Sequence, residues 1–197
     1  MKYLLCLVCL LVPSISFAQI NTLGVYTEPV GLSCYTRDTP GPHTLYVIMT
    51  NTLGVTGARF RIETSSGFTG TLLSSSSPWS NVTGDPVTGA TVTFDSCEPG
   101  QFIVMTVNFM FIGGSSDCSW IRTAKHPAFT ATGPEVYDCQ YGWVPAYWEG
   151  THVSNSYPTD CANDIHHEEH IHFCRPYWNP AVAAEASTWG AVKALYR

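Results

Sequence analysis

The sequence predicts an all-β fold, an antiparallel β-sandwich, from three observations. Short runs rich in β-branched and aromatic residues recur between residues 23 and 112. Several of them alternate apolar and polar with a period of two, as a half-buried strand does. Clusters of Gly, Pro, Ser and Asp separate them, and no helical pattern intervenes of the kind a parallel sheet needs.

The strands follow in order. Residues 44–50 are dense in Leu, Tyr, Val, Ile and Thr. Arg59-Phe60-Arg61-Ile62-Glu63 alternates strictly, so Phe60 and Ile62 are expected to face the core and the charges to face water. Thr91-Val92-Thr93-Phe94-Asp95 alternates in the same way. Residues 101–112 read as a long central strand, buried on both sides near its middle. Turn signals are Thr39-Pro40-Gly41-Pro42, residues 74–78, Thr83-Gly84-Asp85-Pro86, Glu98-Pro99-Gly100 and Gly113-Gly114-Ser115-Ser116. Further strands are expected at 119–124, 134–139 and 170–174. Asn21-Thr22-Leu23-Gly24-Val25 returns at Asn51-Thr52-Leu53-Gly54-Val55, too short a match to define a repeat. After Pro180, Thr188 can cap a short helix whose Trp189, Val192, Leu195 and Tyr196 share one face.

The chain has 197 residues, with Lys+Arg 9, Asp+Glu 15 and a formal net charge of -6. That length fits one domain. Charged residues are 12% against 45% hydrophobic, which excludes a supercharged tail, a coiled coil and a long solvated helix bundle and argues against disorder. The shortage of Lys and the negative balance leave no basic face for nucleic acid. Lys2, the apolar run 4–12 and Ser16-Phe17-Ala18 read as an export signal, cleaved after Ala18. The organisation expected is therefore a signal at 1–18, a disulfide-stapled sandwich at 19–180, and a linker with a short helix at 181–197. No later apolar run is long enough for a transmembrane segment in the mature chain. The expected location is extracellular or at the cell surface, with the periplasm as an alternative.

Two of the eight cysteines, Cys6 and Cys9, lie in the signal. The other six, Cys34, Cys97, Cys118, Cys139, Cys161 and Cys174, are an even number in an exported chain, which suggests three disulfides. Six cysteines allow 15 connectivities. Nearest-partner reasoning favours 118–139 and 161–174, leaving 34–97.

Two clusters carry candidate chemistry. His166, His167, His170 and His172 fall within seven residues. On a strand, His166, Glu168, His170 and His172 share one face and can converge on Zn or Cu; on a helix His166 and His170 lie one turn apart. The competing reading is a solvated polar edge. No other cofactor is implied. Tyr137, Tyr141, Trp143, Tyr147, Trp148 and Tyr157 form the second cluster. Exposed on a rigid edge, such rings stack on sugars; packed, they cover a sandwich edge. Nucleophile-elbow, phosphate-loop and dinucleotide signatures are absent, so no catalytic residue is assigned. Asn81-Val82-Thr83 is a glycosylation sequon.

Gly24-Val25-Tyr26, Ser33-Cys34, Leu45-Tyr46-Val47 and Gly57-Ala58-Arg59-Phe60 resemble the opening of a group of uncharacterised exported bacterial proteins. The ending Ser187-Thr188-Trp189 with Lys193-Ala194-Leu195-Tyr196 resembles the Thr-Trp…Lys-x-Leu-Tyr tail of the same group. That resemblance implies one Ig-like or cohesin-like β-sandwich with disulfides and no established catalytic residue. The function expected is a non-catalytic secreted or cell-surface module that binds a protein or a surface polymer. Metal binding through the His cluster and carbohydrate binding through the aromatic edge are the alternatives.

Overall fold

A computed structural model describes residues 21–154 and the backbone of residues 172–173. Its described elements are all strands: β1 (Thr22–Tyr26), β2 (Tyr35–Thr36), β3 (Gly41–Thr64), β4 (Gly70–Ser76), β5 (Asn81–Asp85), β6 (Gly89–Phe111), β7 (Ser119–Ala124), β8 (Glu135–Asp138), β9 (Gly142–Pro145), β10 (Tyr147–Val153) and β11 (His172–Phe173). The export signal, the Cys161 and Cys174 positions and the C-terminal helix expected from the sequence lie outside the described residues.

The frame is the pair β3 and β6, 24 and 23 residues long. They run antiparallel from Gly41 opposite Phe111 to Phe60 opposite Ala90, with register shifts between Val47 and Gly57. Bulges of this kind bend a strand and raise its twist. The pair thereby passes from one layer of the sandwich into the other. Before the bend, β3 takes β1 on its free side and β6 takes β4. Beyond it, β6 takes β5, and β3 takes β8 and then β9. The far end of β3 pairs with β7, β7 with β10, and β10 with β1. This circuit returns to β3 through β1.

Two expected strands, 44–50 and 59–63, are thus one strand. The Glu98-Pro99-Gly100 turn signal lies inside β6, at the bend, where Gly100 has φ +83°. A Pro and a left-handed Gly do at a bulge what they do at a turn. Ser74 to Ser76 likewise belong to β4 rather than to a turn. The pairing is antiparallel except around β10, where β1, β2 and β11 lie parallel to it. The long strand 101–112 is buried at consecutive residues only near its middle, at Val104 and Met105; towards its end it alternates, with Val107, Phe109 and Phe111 facing inward and Thr106, Asn108 and Met110 part-exposed.

Alternation places Leu45, Val47, Met49, Ala58, Phe60 and Ile62 of β3 in one core with Val92, Phe94, Val107, Phe109 and Phe111 of β6 and Leu23 and Val25 of β1. Each large member contributes about 1.5–3 kcal/mol by leaving water. The core also holds two hydroxyls with a purpose. Thr123 Oγ1 donates to Leu23 O and Thr151 Oγ1 to Val25 O, both at 2.6 Å and both buried. Side chains from β7 and β10 thus bond to carbonyls of β1 inside the core, where their own hydroxyls need a partner.

Cys97 is bonded to Cys139, and Cys34 and Cys118 are also disulfide-bonded. The 118–139 and 34–97 pairings are therefore incorrect. At the bend, Val55 of β3 faces Glu98 on one side and Asp138 on the other. That arrangement brings the neighbouring Cys97 and Cys139 together over β3, something distance along the chain does not encode. The sequence separation of 42 corresponds to about 4 kcal/mol in the chain-entropy treatment. Gly54 makes the crossing possible, because a Cβ there would stand 2.5 Å from Cys97 Sγ. Gly54→Ala is expected to lower stability in urea denaturation by about 1–3 kcal/mol, through overpacking against the disulfide. Leu53→Ala, next to it but 81% exposed, is expected to stay within about 0.5 kcal/mol.

Candidate functional site

The outer face of the second layer is the clearest composite surface. Its strands lie in the order β5, β6, β3, β8, β9, and the registers align two rows across them. One row is Thr83, Thr91, Arg59, Glu135 and Pro145. The other is Asn81, Thr93, Gly57, Tyr137 and Trp143. Five strands span roughly 19 Å. Gly57 leaves a gap in the second row, where a Cβ would come within 3.8 Å of Tyr137 Cβ.

Arg59 organises the aromatic half of this face. Its guanidinium carbon lies 3.4 Å from the Phe129 ring centroid and 4.1 Å from that of Trp143. Its Nε donates to Glu135 Oε2 at 2.8 Å, and a second guanidinium nitrogen reaches the same oxygen at 2.8 Å. The two side chains are only 12% and 10% exposed. The expectation that the alternating charges face water fails for Arg59, which occupies the outer face but lies against aromatic rings; Arg61 and Glu63 stay part-exposed. At such burial, desolvation offsets most of the Coulomb gain, so the pair matters chiefly for geometry. It holds two rings upright on either side of a planar cation.

The β8–β9 hairpin presents the remaining rings. Tyr137 meets Trp143 edge-on, with centroids 5.3 Å apart at 88°. The turn is fixed by Asp138 Oδ1, which accepts from Gln140 N at 2.8 Å and Tyr141 N at 3.1 Å. The Cys97–Cys139 bond anchors its tip to β6. Tyr137, Tyr141 and Trp143 stay 43%, 78% and 38% exposed on this braced support.

A second stack repeats the theme. Arg122 sits 4.4 Å from the rings of both Trp120 and Trp148, and one of its nitrogens reaches Glu63 Oε2 at 3.1 Å. Glu63 also pairs with Arg61. Gly150 lies beneath, where a Cβ would meet Arg122 Cβ at 2.9 Å.

The aromatic cluster read from the sequence is thus divided. Tyr137, Tyr141 and Trp143 come together, Trp148 belongs to the second stack, and Tyr147 lies beside β1, its N–H donating to Asn21 O at 3.0 Å. Tyr157 lies outside the described residues, as do His166, Glu168 and His170. Of the His cluster only the backbone of His172 is described, paired with Glu149. Among the described residues, no three His, Cys, Asp or Glu side chains gather as metal ligands, and no helix is long and apolar enough to cross a membrane. Sequence reasoning missed Arg59, Glu135, Phe129, Trp120 and Arg122. Arginine at outward positions of an alternating strand was the available signal.

Among the described residues, Tyr26, His126 and His152 are displaced from their ordinary range. Tyr26 donates to the Glu149 carboxylate, and burial together with that charge holds its phenol well above the usual range. His126, tilted against Phe129 at 5.0 Å, is shifted down by burial and by the Arg59 charge. His152 on β10 is lowered by burial to about 4.

No family model matches the chain, and no curated protein matches it. Among solved structures, the chain is similar to cohesin modules. One is a non-cellulosomal cohesin from Archaeoglobus fulgidus, 10% identical, with 75% of this chain and 99% of that one covered and a TM-score of 0.42. Another is the sixth cohesin of Acetivibrio cellulolyticus scaffoldin B, solved with a Cel5 dockerin variant, 12% identical, covering 70% and 99%, TM-score 0.47. A third is the cohesin module of a Clostridium perfringens family 33 glycoside hydrolase, 8% identical, covering 70% and 98%, TM-score 0.47. The fold itself is that of an all-β sandwich, as its own strand pairing shows.

The lowered His152 fixes the sign of one pH effect. The unfolded chain protonates this imidazole near pH 6.5, whereas the fold resists until about 4. Its contribution is complete above about pH 6.5 and is lost as pH falls towards 4. Melting temperatures between pH 7.5 and 4.5 are expected to fall less steeply for His152→Gln than for the wild type.

Proposed function

We propose that this chain is a non-catalytic binding module, and that its β5–β6–β3–β8–β9 face engages a protein partner. The observation that carries the reading is the set Tyr137, Tyr141 and Trp143: exposed aromatic side chains on a hairpin braced by a disulfide, an Asp-capped turn and the Arg59 clamp. Tyr, Trp and Arg dominate the energetics of protein interfaces. Side chains already held in place lose little entropy on binding, which favours affinity. The polar half of the face, Asn81, Thr83, Thr91 and Thr93, supplies uncharged hydrogen-bonding groups. Export to the cell exterior or surface, read from residues 1–18, belongs to the same proposal.

Carbohydrate stacking on these rings is the second reading. It is disfavoured by geometry, because the rings of Trp143 and Trp148 each give one face to a guanidinium.

The test is affinity capture from the extracellular fraction of the source cells, quantified against variants. Wild type is expected to retain a discrete protein, with Tyr137→Ala/Trp143→Ala weakening retention at least tenfold and Tyr147→Ala leaving it unchanged. Equal retention by all variants would contradict the assignment of this face. Retention on polysaccharide gels that is lost with Tyr137→Ala/Trp143→Ala would favour sugar instead.

A further inference from the structure

Three loops meet near the start of β3: residues 37–40, 65–69 and 112–118. Their junction is tightly bonded. Ser116 N donates to Gly67 O at 2.9 Å and Ile112 N to Thr69 O at 3.1 Å. Thr69 N donates to Ser115 Oγ at 3.0 Å, and Thr69 Oγ1 donates to Gly113 O at 2.7 Å while lying 3.1 Å from Ser115 Oγ. Asp38 enters this knot with its side chain. Its Oδ2 accepts from Ser115 N at 2.6 Å.

Asp38 is 2% exposed, and its other carboxylate oxygen is buried with no hydrogen-bond partner. Among the described residues no basic side chain pairs with it. A carboxylate oxygen buried without a partner is costly, and proteins compensate such groups by pairing them or by ligating a metal. Two hydroxyls, those of Thr69 and Ser115, meet at the junction with the carbonyls of Gly113 and Asp38 beside them, and the same loops also carry Arg37, Thr39 and Asp117. The Asp38 carbonyl is 3.8 Å from the place a Cβ of Gly113 would take.

We infer that this junction binds a hard cation, calcium, with the free oxygen of Asp38 as its one charged ligand and carbonyl, hydroxyl and water oxygens completing the shell. An all-oxygen donor set made from loops suits calcium, which accepts six to eight oxygens in irregular arrangements. Magnesium requires stricter octahedral geometry, and zinc or copper favours nitrogen and sulfur donors. With a single carboxylate, affinity belongs in the weak range of about 10⁻⁴–10⁻³ M found for extracellular modules. The ion would tie together three loops at one end of the sandwich.

The experiment is a set of melting curves on the oxidised, untagged full mature chain in EGTA, in 10 mM CaCl2 and in 10 mM MgCl2. Calcium is expected to raise the wild-type melting temperature by about 3–8 °C over EGTA, with a smaller effect of magnesium. Asp38→Asn keeps an oxygen for Ser115 N–H and removes the buried charge. It is expected to melt at or above wild type in EGTA and not to respond to calcium. No wild-type shift in calcium would overturn the inference, as would an equal shift in Asp38→Asn. Melting of Asp38→Asn far below wild type in EGTA would also overturn it, by showing that the carboxylate is needed without the ion.

Discussion

Everything else in this molecule depends on one constraint: two strands of more than twenty residues must stay paired while bending from one layer into the other. The β3–β6 ladder meets it with register shifts concentrated at residues 47–57, where Gly54 and Gly100 accept conformations or close approaches that a side chain would obstruct. Because the same two strands furnish both layers, the core on one side and the exposed face on the other are parts of one continuous object. The Cys97–Cys139 bond lies over this bend. It links β6 to the β8–β9 hairpin at the point where the ladder is least regular.

The same economy governs the charges. Arg59 and Arg122 each lie between two aromatic rings, and each is bound to a glutamate. An exposed ion pair would be worth little, and a deeply buried one would roughly cancel its own desolvation. Their effect is to fix ring orientation on a surface that would otherwise be a flexible aromatic edge. The glycines complete the arrangement from below: Gly57 and Gly150 leave space beside Tyr137 and beneath Arg122. Rigidity of the contact face is in this sense largely a product of sheet register, completed by Phe129 from the β7–β8 connection and by the Asp138 turn.

Much of the fold was legible because period-two alternation is a local property. Phe60 and Ile62 fall in the core as the alternation requires, and β7 occupies residues 119–124 as read. What the sequence obscured was continuity. Pro99 and Gly100 read as a turn because bulge and turn use the same residues. The paired pentapeptides show the limit well. Asn21 and Asn51 both adopt positive φ, yet Leu23 is fully buried and Leu53 is 81% exposed, since one strand lies inside the circuit and the other stretch crosses the bend. The disulfide pairing and the division of the aromatic cluster were illegible for a related reason. Both depend on which strands flank β3, and that is set by contacts between residues far apart in the chain. Of the candidate site, the Tyr137–Trp143 pair was visible as composition. Its clamp, made of Arg59, Phe129 and Glu135, spans three separate segments.

The central claim is that the exposed face is as rigid as the core because one ladder carries both. Native-state hydrogen exchange of the oxidised protein tests it directly. Amides of β3 and β6 beyond the bend, at residues 57–60 and 90–93, should exchange only through global unfolding, with the same free energy as those at 45–49 and 102–107. A face half that opens at markedly lower free energy than the other layer would contradict the account, because the aromatic hairpin would then rest on a separately mobile sheet.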